Sequence, residues 1–282
     1  VRTGDPVLDL RRGIAALLRG EAPAPRPAGR PGRDPASRRA TGLLDLPGAE
    51  FVETAAGRVF SLRRRVSDLA PDTDLRGTLA AGLARLRRGD PQRLDRGLLP
   101  ACGASLADLL VLDLETTGFW GCPIFLVGVL RMEGESLVVR QLLARDYAEE
   151  APVLAAAAGL FRPGTVLLSF NGKSYDVPCF CERAALHGVE TGLRALGHVD
   201  LVHPARRRWA GTLPDCRLQT LERRIVGVHR WGDVPSAQVP EVYHRFVARG
   251  ATGELLPVLH HSRVDLLTTA RLFAVLAGVE DG

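Results

Sequence analysis

The chain has 282 residues, 46% of them hydrophobic, with a formal net charge of +5 and five cysteines. That supplies one sizeable core with appendages, but no run of about 18 uninterrupted apolar residues able to span a bilayer, so no membrane contact is expected. An odd cysteine number without a C-x-x-C pair and an amino terminus without a secretory pattern argue against a disulfide framework and export; a cytoplasmic home is expected.

Residues 1–45 hold nine arginines against five acidic residues, which accounts for +4 of the net charge, and Ala22 to Arg39 is dense in Pro, Gly, Ala and Arg. This composition predicts a disordered basic arm, serving either as a weak, salt-sensitive contact for nucleic acid or as a plain linker. Residues 46–104 alternate like a hairpin around Phe51 to Phe60 and turn helical over Leu75 to Arg88, which predicts a small accessory segment. Residues 105–282 read as the main domain. Strands are predicted over Leu109 to Glu115, Phe125 to Arg131 and Leu137 to Leu143, then a helix over Glu149 to Phe161 and a strand over Val166 to Phe170. A helix over Val177 to His187 follows, then a short strand at Val199 to Leu201, and mostly helices to the end, including Leu266 to Ala277. Three strands joined by short Gly-containing turns, then a crossover helix to a fourth, give an α/β mixed sheet flanked by helices. Cys179 and Cys181 read as buried or half-buried thiols, not metal ligands.

The chemistry concentrates in three segments. In Val111-Leu-Asp-Leu-Glu-Thr-Thr-Gly118 the period of a strand sends Asp113 and Glu115 to one face and Leu112 and Leu114 to the other. Two like charges against a core are costly unless cations neutralise them, so the pair reads as half of a site for Mg²⁺ or Mn²⁺. Asp176 follows the apolar run ending at Phe170 and the Asn171-Gly172 turn, and Asp265 stands beside His260 and His261 at the start of a helical stretch. Four carboxylates from three segments can converge, and two divalent cations held there would clamp the attacking and leaving oxygens of a phosphodiester.

These segments resemble the DEDD, or DnaQ-like, 3′-to-5′ exonucleases of the ribonuclease H-like superfamily, and more closely its YprB-like branch. The resemblance rests on Asp113-Leu-Glu-Thr-Thr-Gly118, Gln141 with Asp146 to Glu150, Asn171-Gly-Lys-Ser-Tyr-Asp176, and His198-Val-Asp200-Leu201. Further matches are Ala205 to Trp209, Cys216-Arg-Leu218, Leu221-Glu222, Arg230 with Asp233-Val-Pro235, and His261 to Asp265. It covers roughly residues 105 to 277, and more loosely Leu46 to Val66. One departure is His261-Ser262, where the family usually reads His-Asn before the last Asp. The resemblance implies a ribonuclease H-like fold and a metal-dependent exonuclease acting on DNA or RNA, with a single strand or a 3′ end as its partner.

On that reading Asp113 bridges two metals, Glu115, Asp176 and Asp265 complete their shells, and a histidine near Asp265 orients or deprotonates the attacking water. Two histidines compete. His261 falls on the helix face of Asp265, four residues on, whereas His260 matches an H-x-x-x-x-D spacing; Ser262-x-x-Asp265 also reads as a capping box that would start the helix at Ser262. His261 is preferred. Thr116, Asn171 and Lys173 are candidate substrate contacts. Lys173 is the chain's only lysine, and Asn171 is equally suited to a turn. Asp200 could orient a neighbouring ligand, and Arg206 to Trp209 with Arg230 and Trp231 could grip and stack a single strand, although such a run is often just a solvated face with a core tryptophan. The alternatives are an endonuclease of the same superfamily and a nucleic-acid-binding module without catalysis.

Overall fold

The computed structural model describes residues 42–70, 73–230, 234–250 and 252–279. The arm expected over 1–45 therefore lies outside the described residues as far as residue 41. Its last residues do not behave as an arm, because Leu43 is fully buried in the main core. The leucine pair Leu43-Leu44 was diluted by the Pro- and Arg-rich stretch before it.

Seven strands form one sheet in the order β1-β2-β5-β4-β3-β6-β7. They are β1 (Ala49–Thr54), β2 (Gly57–Arg65), β3 (Leu109–Thr116), β4 (Ile124–Glu133), β5 (Ser136–Leu143), β6 (Val166–Ser169) and β7 (Gly197–Asp200). The first five pair antiparallel, while β3, β6 and β7 run parallel, so the expected mixed α/β sheet is what the chain forms. The segment 46–104, read as an accessory, supplies two strands of this same sheet and the helix α1 (Leu75–Arg88). Asp74 caps α1 by accepting from the Gly77 N–H at 2.9 Å, and Leu75, Leu79, Leu83 and Leu86 form its buried stripe.

The helices that bear on the site are α2 (Glu150–Ala158), α3 (Asp176–Leu186), α4 (Val202–Trp209), α5 (Leu218–Leu221), α6 (Val239–Arg249) and α7 (Thr252–Leu276). Strand alternation divides the core. Leu110, Leu112 and Leu114 share a cluster with Val153, Leu154 and Ala157 of α2 and Phe180 of α3, whereas Leu109 and Val111 pack with α1 and with Leu266, Ala270, Leu272 and Phe273 of α7. Asp113 and Glu115 continue the second row. They point to the side that α7 covers.

The helix α7 runs unbroken from Thr252 to Leu276, so the capping-box start at Ser262 does not occur. Leu255, Val258 and Leu259 extend the buried stripe ahead of Ser262, and apolar packing outweighs the local serine signal. The sheet has a gap made for this helix. Gly128 lies opposite Asp113 on β4, and a Cβ there would come within 2.7 Å of Ser262 Oγ and 3.1 Å of Leu266 Cδ1. Next along the same row, Gln141 donates from Nε2 to the Leu259 carbonyl at 2.8 Å and ties α7 to β5.

Candidate active site

β6 ends at Ser169 and its pairing with β3 stops at Val111 and Leu168, while β3 continues to Thr116, so the far end of β3 has an open side. Asp176 fills it. Its Oδ1 accepts from the Leu114 N–H at 3.2 Å, which places this carboxyl beside the residues flanking Leu114, namely Asp113 and Glu115. The loop between β6 and α3 is shaped for the purpose: Asn171 adopts a left-handed backbone (φ 68°), and Gly172 is buried. A Cβ on Gly172 would meet Ser169 Oγ at 2.3 Å and Asp176 Oδ2 at 3.3 Å. Gly172→Ala is therefore expected to push the loop outward, costing about 1–3 kcal/mol of stability. Denaturant unfolding of the variant beside the wild type checks this.

Asp200, 1% exposed, holds the same loop. Its carboxylate accepts from the N–H groups of Asn171 (2.7 Å), Lys173 (2.9 Å) and Val202 (3.2 Å). It thus orients the segment that carries Asp176. Beneath it, Ser169 Oγ lies 2.7 Å from His198 Nε2, and burial pushes His198 down to about 4.

The four carboxyls of the sequence reading converge. Burial raises Asp113 well above the usual carboxylate range, and the charges of Glu115, Asp265 and Asp176 raise it further. Burial likewise lifts Asp176 to about 7, with Asp200 and Asp265 adding to it against its backbone hydrogen bonds. Asp265 is raised by burial in spite of Arg230 and His261 beside it. On the continuous α7, His261 and Asp265 share a face with Nε2 and Oδ2 3.6 Å apart, whereas His260 Nδ1 turns to Arg263 Nη2 at 2.6 Å.

The other expected residues are placed as follows. Thr116 is buried, with its hydroxyl on the Gly118 carbonyl (2.5 Å) and 2.9 Å from the Tyr175 hydroxyl, where it braces the loop after β3. The side chains of Asn171 and Lys173 are exposed, as is Arg206 on α4. Of its neighbours, Arg207 pairs with Asp95, Arg208 donates to the Val275 carbonyl and Trp209 packs half-buried on the second core, so much of this run is used within the protein. Trp231 lies outside the described residues. Arg230 is not on a solvated face: its side chain is 7% exposed and pairs with Glu222 and Asp265.

Three residues of the site were given no role from the sequence, although Glu222 stands among those that carry the family resemblance. Glu222, 1% exposed, accepts from Arg230 Nε at 2.7 Å and Nη2 at 2.6 Å and from Thr268 Oγ1 at 2.5 Å. It opens a π-turn (Glu222–Val226), whose irregular period hides which neighbours face inward. Phe119 and Trp120 are 87% and 56% exposed on the loop after β3, with Trp120 set edge-on to Tyr175 at 5.6 Å. Only their aromatic character after the D-x-E-T-T-G run could have signalled them.

An all-oxygen donor set at the end of β3 suits hard divalent cations. Among the described residues Asp113 Oδ2 is buried with no well-formed hydrogen bond, only the Ser262 hydroxyl standing near enough to steady its charge, as a position suited to positive charge would be. Among the described residues, however, no three His, Cys, Asp or Glu side chains already stand at cation-holding distances.

An open mixed sheet, with carboxyls at the end of its interior strand β3 and on the helix covering it, defines a ribonuclease H-like α/β protein. The chain belongs to the RNase_H superfamily, whose family model matches residues 110–277. It is 31% identical over 179 residues to the uncharacterized protein YprB of Bacillus subtilis (strain 168), covering 62% of this chain. The match spans 43% of that relative's length, less than half. No helix among the described residues is long and apolar enough to cross a membrane.

Proposed function

We propose that the protein is a metal-dependent nuclease, a 3′-to-5′ exonuclease that hydrolyses DNA or RNA at the carboxyl cluster. The observation that carries this reading is the nearness of Glu115, Asp176 and Asp265 to the buried Asp113, whose Oδ2 has no well-formed hydrogen bond among the described residues. The superfamily supplies a nuclease-like fold; the relative, being uncharacterized, supplies no activity. Asp113, Glu115, Asp176 and Asp265 would hold two Mg²⁺ or Mn²⁺ ions. Such ions, when bound, activate water and offset the charge that develops on the phosphoryl oxygens.

The chain's own residues do the rest. His261, fixed against Asp265, takes the proton of the attacking water, and its position one turn before Asp265 on the same face of α7 keeps acceptor and carboxyl in register. Phe119 and Trp120 offer a stacking surface for the terminal bases of a single strand, held firm by the Thr116 and Tyr175 hydroxyls beneath the loop. Asn171 and Lys173 edge the opening of the site on the other loop, where exposed donors suit phosphate.

A binding module without catalysis has one observation in its favour, the arginine already seated on Asp265. End-labelled single strands separate the readings. Release of mononucleotides from a 3′ label, with a 5′-labelled strand shortening stepwise and a circular strand left intact, is the expected result. Cleavage of the circle would make the enzyme an endonuclease, and binding without products would leave only the module.

A further inference from the structure

The pairing around Arg230 is lopsided. Its Nε and Nη2 form a fork on Glu222, at 2.7 and 2.6 Å, and Thr268 fixes that carboxylate from the far side. The same Nη2 reaches Asp265 Oδ1, and Nη1 stands 3.4 Å from His261 Nδ1. If Asp265 let go, Arg230 would keep its bidentate partner Glu222. Asp265 is therefore the exchangeable contact and Glu222 the tether.

The surroundings give this exchange a purpose. Asp265 is one of the four converging carboxyls, and a guanidinium holding it leaves the other three without a fourth oxygen donor, in keeping with the lack of a ready-made cation cage among the described residues. There is room for movement. A cavity of about 280 Å³ lined by Gln219, Glu222, Arg223, Arg230, Val234 and Pro235 opens beside the guanidinium.

We propose that Arg230, tethered by Glu222, is a built-in counter-cation for Asp265 that a divalent ion displaces, so that the carboxyl centre loads by exchange of one cation for another. This rests on the cation-binding reading above. Arg230 is thus a positioning residue: it keeps Asp265 and His261 in place and charge-compensated until the ion arrives. Arginine suits the task because its planar fork can stay on Glu222 while one nitrogen changes partner.

Mn²⁺ binding to the full chain, followed by calorimetry and by electron paramagnetic resonance, tests the exchange. The double variant Arg230→Gln with Glu222→Gln keeps polar, hydrogen-bonding side chains at both positions while removing both charges of the tethered pair, so neither is left buried alone. It should bind Mn²⁺ about tenfold tighter than the wild type, or more, since the competing cation is gone. Equal or weaker binding by the variant, with the wild type binding normally, would overturn the exchange and leave the nuclease reading standing. Failure of the wild type to bind Mn²⁺ at all would remove both. Should the double variant not fold, the wild type still decides: the Arg230 Nε–H resonance, assigned by its absence in Arg230→Lys, should shift along the Mg²⁺ saturation curve. A resonance indifferent to saturating Mg²⁺ would contradict the proposal.

Discussion

Asp113→Asn is expected to lower cleavage by about a hundredfold or more while substrate binding stays nearly unchanged. The amide keeps the shape of the carboxyl but cannot carry the charge that two cations would share. The same change should raise the thermal midpoint of the cation-free protein. Asp113 is buried, with no well-formed hydrogen bond to its Oδ2 among the described residues, beside three further carboxyls, and relieving that crowding by about 1 kcal/mol corresponds to about 2–4 °C in a domain of this size. Loss of activity joined to gain of stability marks a site kept at the expense of the fold. Steady-state kinetics, a binding titration and a calorimetric scan would read the three effects; full turnover in the variant would place the chemistry elsewhere.

Glu150→Ala is expected to be the most destabilising single change among those considered, at about 3–5 kcal/mol. The Glu150 side chain, 3% exposed, begins α2 and accepts from the Ile124 N–H at the start of β4 (2.9 Å) and from Arg183 Nε of α3 (2.7 Å). His187, just past α3, adds a contact at 2.8 Å. Truncation leaves Arg183 without its buried counter-charge and unties α3, whose first residue is Asp176. Burial alone would raise Glu150, but the hydrogen bonds from Arg183, His187 and Ile124 outweigh it and its pKa is lowered. The stabilisation is thus complete above the unfolded-state value of about 4.3 and is lost as pH falls through the lower folded-state value. Wild type and variant should differ fully at neutral pH and converge in acid. By contrast Glu53→Ala, at an exposed pair with Arg58, should change stability by less than about 0.5 kcal/mol.

How much of this was legible in the sequence follows from which signals are local. The β3 strand and the shared face of Asp113 and Glu115 needed only a period of two. The stripe of α1 needed only a period near four, and its cap a single aspartate before it. Asp176, Asp265 and His261 were found because each sits in a short, chemically distinctive run. What could not be read is long-range. Nothing near Gly128 announces that a helix more than a hundred residues later will press against it, and Glu222 and Arg230 are joined across a π-turn that obeys no simple period. The hairpin at Phe51 to Phe60 was visible, but its place on the edge of the main sheet depends on pairing between β2 and β5, far apart in the chain. The capping-box signal at Ser262 misled for the opposite reason: it was local and clear, and the buried residues on both sides of it overrode it.

The most direct test of a cation-dependent nuclease is cleavage of a labelled single strand by the full chain with Mg²⁺ or Mn²⁺, with EDTA, and with EDTA followed by excess ion. Products with the ion, none with EDTA, and recovery when the ion is restored are predicted. Cleavage undiminished by EDTA, or none under any of the three conditions, would contradict the account.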